Sequence, residues 1–259
     1  MRVGLTTGMY YGVMETEDAL SYMHRFDVPC CEVFLESFCE YSTAFGRELK
    51  SRLGGMDPVS MHTRVQHFET DLLGQSKHQV ADGIDNFARA LDAGAELGAK
   101  LYVYHGPMSI RGERRPIAQW ADALVYAVGM AAKRGIQLCW ENVSWCIVNA
   151  PDRAIEAAEV CPSLGFVMDA KQALETQWDP VEYVKAMGSR LRHVHVLDKD
   201  EHGRSTLPGQ GVYDFRRLAD ALRSMDYRGD VILEPYSALT RDEGALRASL
   251  DYLRSIFEV

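Results

Sequence analysis

Eight short runs rich in Val, Ile, Leu, Phe and Tyr alternate along this chain with longer segments whose apolar residues recur at helical spacing. That alternation predicts βαβ units and a parallel sheet. The strand-like runs are Val3 to Thr6, Cys31 to Leu35, Val59 to His62, Leu101 to His105, Gln137 to Asn142, Gly165 to Asp169, Leu191 to Leu197 and Val231 to Glu234. Between them, Asp82 to Leu97 sets Ile84, Phe87, Leu91 and Ala95 on one face, and Ile117 to Lys133 does the same with Trp120, Leu124 and Ala127. Another helix is expected from near Tyr213 to Phe215 through Leu218, Leu222 and Met225. Gly98 and Gly135 follow two of these helices as C-caps. Eight units in 259 residues average about 32 residues each, the length of a βα repeat. An open doubly wound sheet would carry a glycine-rich phosphate loop after its first strand, and Gly4-Leu5-Thr6-Thr7-Gly8 does not match one. The expected fold is therefore α/β, a single (β/α)₈ barrel domain over residues 1–259, with no linker or low-complexity tract dividing it.

Composition narrows the partners. A net charge of −9 repels nucleic acid, so no nucleic-acid partner is expected. The densest basic cluster, Arg111, Arg114 and Arg115, encloses Glu113 and reads as a solvated loop. The six cysteines, Cys30, Cys31, Cys39, Cys139, Cys146 and Cys161, show neither zinc-ribbon spacing nor a disulfide framework, and several sit in apolar runs as small hydrophobes. A reducing compartment follows from that usage. The opening MRVGLTTGMYYG lacks a signal-length apolar stretch, and nowhere do about twenty uncharged apolar residues run together. A cytoplasmic protein without membrane association is expected.

A strand buried on both faces should be apolar throughout, yet here a polar residue stands at the end of the run six times: His62, His105, Glu141, Asp169, His195 and Glu234. Side-chain alternation places Val103 below His105, Cys139 below Glu141, Val167 below Asp169 and Ile232 below Glu234. The six polar groups then form one layer capping an apolar interior, on the face where barrel enzymes build their active sites. Three carboxylates gathered without a cation would raise one another's pKa, and a divalent ion resolves the conflict. Carboxylates with one or two imidazoles suit Mn²⁺, Mg²⁺, Co²⁺ or Zn²⁺. His193 lies one layer below His195, as a core group or a partner to the ligands. His24, His67, His78 and His202 read as surface or loop residues.

The segments Tyr104-His105-Gly106-Pro107, Trp140-Glu141-Asn142, Asp169 after its apolar run, His193-Val-His195-Val-Leu-Asp198, Leu207-Pro208-Gly209-Gln210-Gly211 and Leu233-Glu234-Pro235 occur in an order and spacing that resembles the xylose isomerase-like barrel superfamily. That superfamily includes sugar isomerases, ketose 3-epimerases, inosose dehydratases and the endonuclease IV family. The resemblance implies that Glu141, Asp169, His195 and Glu234 are ligands to one divalent metal. It implies that His62 and His105 either bind an additional zinc, as in the endonuclease branch, or line the substrate pocket. It also implies that Asp198 hydrogen-bonds to the ligand set. Departures accompany it. Asp169-Ala-Lys171-Gln172 replaces the family's Asp-x-x-His, Ile147 stands where ketose 3-epimerases carry a second Glu, and Gly203-Arg204-Ser205 lacks the Asp-x-His pair that holds a third zinc in the endonucleases.

The resulting expectation is a metal-dependent isomerase or epimerase that acts on a sugar, sugar phosphate or keto-polyol through an enediolate, with no organic cofactor. Glu141 and Glu234 are the expected proton-transfer pair. Lys171 and Arg204 are expected to bind substrate oxygens, the other reading of Lys171 being an exposed residue at a helix start. Met9-Tyr10-Tyr11, Phe38, Trp145 and Trp178 offer either sugar-stacking surfaces or core and lid packing. The alternatives are a keto-polyol dehydratase, an endonuclease IV-type phosphodiesterase and a sugar-binding barrel without activity. Relatives of such barrels often form homo-oligomers, and that expectation is an analogy.

Overall fold

Val, Ile and Leu on both faces of consecutive short strands leave no edge that can face water, and the sheet answers by closing on itself. The structure, a computed structural model, describes residues 1–64, 68–110 and 113–258. His67 and Arg111 lie outside them. Seven barrel strands run in chain order as β1 (Val3–Thr6), β2 (Cys30–Leu35), β3 (Asp57–Thr63), β4 (Leu101–Tyr104), β5 (Gln137–Glu141), β6 (Gly165–Asp169) and β7 (Leu191–Val196). After a small hairpin of β8 (Asp198–Lys199) and β9 (Ser205–Thr206), β10 (Val231–Leu233) completes the ring. All barrel neighbours are parallel, and β10 closes it by pairing with both β1 and β7. The expected (β/α)₈ barrel is the observed fold.

The helices α1 (Thr16–Met23), α2 (Thr43–Ser51), α3 (Glu69–Leu72), α4 (Lys77–Leu97), α5 (Ala121–Ala132), α6 (Pro151–Val160), α7 (Ala170–Glu175), α8 (Pro180–Met187), α9 (Phe215–Ser224) and α10 (Glu243–Phe257) surround it. Their first turns are locally encoded: Ser42, Asp179, Asp214 and Asp242 each accept a backbone N–H at a helix start, and Pro151 occupies the first turn of α6. Helix α4 begins at Lys77, five residues before the sequence reading, and its buried face is Phe87, Ala90, Leu91, Gly94 and Leu97, whereas Ala95 is exposed. Ile117–Trp120 forms a 3₁₀ turn ahead of α5. Gly98 takes the left-handed conformation at φ 101°, as a helix C-cap requires.

Inside the barrel the expected layer under the polar ends is present: Val103, Cys139 and Val167 pack together, as do Cys30, Val59 and Ile232. Close packing at β1 demands glycine, since a Cβ on Gly4 would lie 2.4 Å from the Cys30 carbonyl oxygen. Five cysteines are buried, Cys39 is exposed, and all are free thiols. Among the described residues, no helix is long and apolar enough to cross a membrane.

Candidate active site

Each parallel strand delivers its last side chains to one mouth of the barrel, and the register brings the polar ends level. Asp169 of β6 pairs with His195 of β7, which pairs in turn with Ile232, two residues before Glu234. One ligand atom from each of Glu141, Asp169, His195 and Glu234 lies within 4.8 Å of the others. His195 Nδ1 stands 3.1 Å from Glu141 Oε1 and 3.1 Å from Glu234 Oε2. Glu141, Asp169 and His195 are buried, and Glu234 is the most open of the four.

Local hydrogen bonds hold these groups in place. Asp169 and Asn142 exchange a reciprocal pair, Asp169 N donating to Asn142 Oδ1 at 2.7 Å and Asn142 Nδ2 to the Asp169 carbonyl at 2.9 Å. Asp169 Oδ1 also accepts the Gln172 amide at 2.7 Å, so this carboxylate caps α7. Trp140 Nε1 donates to the His105 carbonyl, and Gly106, at φ 75°, lies so close to the same indole that a Cβ would fall 2.6 Å from Nε1.

His62 and His105 belong to the same mouth but differ in partners. Buried Glu69, the first residue of α3, accepts the His105 backbone N–H at 2.9 Å on Oε2 and faces His105 Nδ1 at 3.1 Å with the same oxygen. His105 Nε2 lies 3.3 Å from Glu141 Oε2. Burial alone would lower the His105 pKa, but Glu69, followed by Glu141 and Glu234, outweighs it and pushes the imidazole up to about 9. Burial dominates at His62 and keeps it below the usual imidazole value, and neither of its ring nitrogens makes a hydrogen bond.

Two carboxylates without a place in the sequence reading prove central. Glu32, fully buried in β2, holds Oε2 at 2.9 Å from His195 Nε2 and accepts from Ser60 Oγ at 2.8 Å. His193 Nε2 lies 3.0 Å from Ser60 Oγ and 3.3 Å from the same Glu32 oxygen, so it contacts this carboxylate below the layer of polar strand ends. Burial would raise the Glu32 pKa, and the neighbouring imidazoles of His195 and His62 reverse that and hold it well below the carboxylate norm. Alternation gave a signal for Glu32: it shares a strand face with Cys30 and Phe34, so a charge there points into the barrel. Glu69 lies in the short helix α3 outside any strand and gave none.

The donor set fits a divalent ion. Burial, followed by the charges of Glu141 and Glu234, raises the Asp169 pKa against the pull of Lys171, and a bound cation would oppose both effects. His195 presents Nδ1 to the carboxylate group while Nε2 faces Glu32, the arrangement by which a carboxylate orients a metal-binding imidazole.

Above the four lies a cavity of about 270 Å³, walled by Gly8, Tyr11, Phe34, Val143, Trp145 and Tyr236, with His62, His105, Glu141, Lys171, Gln172 and Glu234 reaching into it. Lys171 is buried, not exposed at a helix start, and donates to Tyr236 Oη at 2.6 Å. Gln172 accepts the Ser144 amide on Oε1 at 3.0 Å. Ile147, 4% exposed, is an apolar anchor whose carbonyl accepts from Arg153 Nε. Arg204 is elsewhere: its side chain is 74% exposed, pairs with Asp200 at 2.8 Å in the β8–β9 hairpin and does not line the cavity. Asp198 accepts from the Lys199 and Tyr213 amides, so it shapes the loop around Gly209 and Gly211 and does not bond to His195. Of the aromatic rim candidates, Tyr11 and Trp145 line the cavity, Met9 and Tyr10 are core, and Phe38 and Trp178 stand outside it. Arg114 makes an exposed pair with Asp152, as a solvated loop would, whereas Arg115 donates to the Met108 carbonyl, stacks 5.2 Å over the Trp120 ring and buries its Nε, so this end of the cluster is packed against the barrel.

Known proteins resemble this chain at low identity. L-ribulose-5-phosphate 3-epimerase UlaE of Escherichia coli (strain ATCC 8739 / Crooks) is 23% identical over 175 residues, which cover 64% of this chain and 60% of that enzyme's length. A crystal structure of D-psicose 3-epimerase with D-fructose superposes with a TM-score of 0.81 at 15% identity over 100% of both chains. A crystal structure of the IOLI protein with a bound zinc atom superposes at 0.80 with 18% identity, again over 100% of both chains. At these identities the two superpositions speak for the fold. The sequence match extends further, because residues 24–256 fit the family described as xylose isomerase-like TIM barrel, and the chain belongs to that family.

Proposed function

We propose that this chain is a divalent-metal-dependent isomerase or epimerase acting on a sugar, sugar phosphate or keto-polyol. The observation that carries the reading is the convergence of Glu141, Asp169, His195 and Glu234 at the floor of a cavity of small-molecule size. Those four residues would hold the ion. When bound, it would supply Lewis-acid stabilisation of negative charge on a carbonyl oxygen and its neighbouring hydroxyl. The likeness to UlaE and D-psicose 3-epimerase, and the zinc bound by the IOLI protein, support this direction without fixing substrate or metal.

The chain's own residues would divide the remaining work. Glu141 Oε2 and Glu234 Oε1 are the oxygens turned away from His195 Nδ1, and the two carboxylates would take and return the proton on the carbon beside the carbonyl. His105, charged by its contact with Glu69, would hydrogen-bond the substrate or steady Glu141. Lys171 would bind a substrate oxygen, with Tyr236 fixing its ammonium group. Tyr11, Phe34 and Trp145 would cover the reacting centre and exclude water. Arg204 has no part in this proposal.

Dehydration of an inosose-type keto-polyol would use the same proton abstraction and end in loss of a β-hydroxyl. A phosphodiesterase is disfavoured, since Gly203 and Ser205 of the hairpin offer no ligands for a third zinc. A barrel retained only for sugar binding would have no need of four converged ligands.

The deciding experiment incubates the metal-loaded protein with ketoses, ketose phosphates and inososes in D₂O. Exchange of a carbon-bound proton in at least one is expected, with a fall of about 100-fold or more in E141Q and E234Q. Epimerised product separates epimerase from dehydratase, and absence of exchange across the panel overturns the mechanism for those substrates.

A further inference from the structure

Beside the cavity floor, buried polar atoms without hydrogen bonds face one another. Glu32 uses Oε2 for Ser60 and His195, but its Oε1, sealed inside the barrel, makes no hydrogen bond. Neither ring nitrogen of His62, itself more than nine-tenths buried, makes one. His62 Nε2 stands 3.4 Å from Glu32 Oε1 and 3.8 Å from Glu234 Oε1. Native interiors rarely leave so many polar atoms unsatisfied in one place without a ligand to explain them.

We propose that Glu32 Oε1, His62 Nε2 and Glu234 Oε1 form a second divalent-cation site, adjoining the four-residue group and sharing Glu234 with it, and that filling it inhibits the enzyme. Two ligand atoms bound to one ion at about 2.0–2.2 Å lie roughly 3.0–3.6 Å apart at ordinary coordination angles. The 3.4 Å separation already satisfies this, and the 3.8 Å one needs a shift of a few tenths of an ångström. Two carboxylates and an imidazole suit Mn²⁺, Co²⁺ or Zn²⁺ better than Ca²⁺. His105 does not contribute, because its Nδ1 faces Glu69 and its Nε2 faces Glu141.

The inhibitory consequence rests on the proposed function, in which Glu234 carries a proton. Glu234 spans both groups: Oε2 lies beside His195 Nδ1 and Oε1 faces His62. An ion on Oε1 occupies the lone pair that would accept the substrate proton. Activity would therefore rise with the first equivalent of metal and fall with the second. Three protein ligands against four make the second site the weaker one.

The test titrates the full-length, chelator-stripped protein with Mn²⁺ and follows bound metal, the electron paramagnetic resonance spectrum and substrate proton exchange. Two equivalents are expected, the second at least tenfold weaker, with the spectrum of an exchange-coupled Mn²⁺ pair replacing that of isolated ions and proton exchange declining as it appears. H62Q, with H62N as a second variant should the first lose its fold, keeps one equivalent and the isolated-ion spectrum and loses the decline at excess metal. A single equivalent in the unaltered protein, or two equivalents with isolated-ion spectra, overturns the second site. Two equivalents with undiminished exchange overturns the inhibition. Absence of any bound metal defeats the four-residue site too, whereas one equivalent with intact proton exchange defeats only the second.

Discussion

His195 Nε2 lies 2.9 Å from Glu32 Oε2, so the imidazole at the cavity floor is anchored from behind by a carboxylate that never reaches the cavity wall. This contact directs Nδ1 toward Glu141 and Glu234. A neutral amide at position 32 still accepts one hydrogen bond but removes the charge that raises ligand basicity. E32Q is therefore expected to weaken metal binding at the four-residue group by about tenfold or more, measured by competition with a chelator.

Lys171 and Arg204 look equivalent as nearby cations and are expected to part company. Lys171 is buried in the cavity wall against Tyr236, and K171M should lower kcat/KM by about 10- to 100-fold on whichever substrate shows proton exchange. Arg204 makes an exposed pair with Asp200, and R204A should leave kcat/KM within about twofold. Steady-state kinetics of both variants, with Tm as a folding check, decides the comparison.

The reciprocal bonds between Asn142 and Asp169 are buried and tie the ends of β5 and β6 together. N142A strands the Asp169 backbone N–H and carbonyl, at a cost of about 1–3 kcal/mol. A lower urea midpoint is the expected reading. Metal affinity should fall with it, since Asp169 loses the contact that fixes its backbone.

Glu36, the residue after β2, carries a pH dependence of its own. Burial, followed by the charges of Glu40 and Glu15, pushes its carboxyl up to about 7, well above the value in an unfolded chain. The folded state thus prefers the neutral acid. That preference is fully present below the unfolded pKa, near 4.5, and is lost as pH rises through 7. E36Q should leave Tm unchanged at pH 4 and raise it at pH 8, by about 2 °C for roughly 1 kcal/mol after solvent screening of a partly exposed group. Equal shifts at both pH values would refute the assignment.

The barrel was legible because its physical signature is local: eight short apolar runs recur at even spacing, six of them carry a polar residue at or near the end, and the segments 82–97, 117–133 and 213–225 show a helical period. The polar strand ends could be read for the same reason, as Glu141 and Asp169 interrupt apolar strands at their last positions. Other features depended on contacts between distant segments. Glu69 meets His105 across 36 residues, and nothing in the run Glu69–Leu72 marks a buried carboxylate. Arg204 reads in the sequence as a cation for substrate oxygens, but the hairpin turns it outward onto Asp200. Lys171, for which a substrate-facing place and an exposed helix start were both open, is buried because the end of β6 delivers it against Tyr236.

Asp169 ends a strand, caps a helix and offers an oxygen to the cavity floor, and these tasks share one carboxylate. Tension on that group is transmitted at once to the first turn of α7, which carries Lys171 and Gln172 into the cavity wall. The pocket's side is thus hinged to its base. Chelation should loosen the wall before it loosens the barrel, and amide hydrogen exchange at Gln172 should quicken while the strand amides of β6 stay protected.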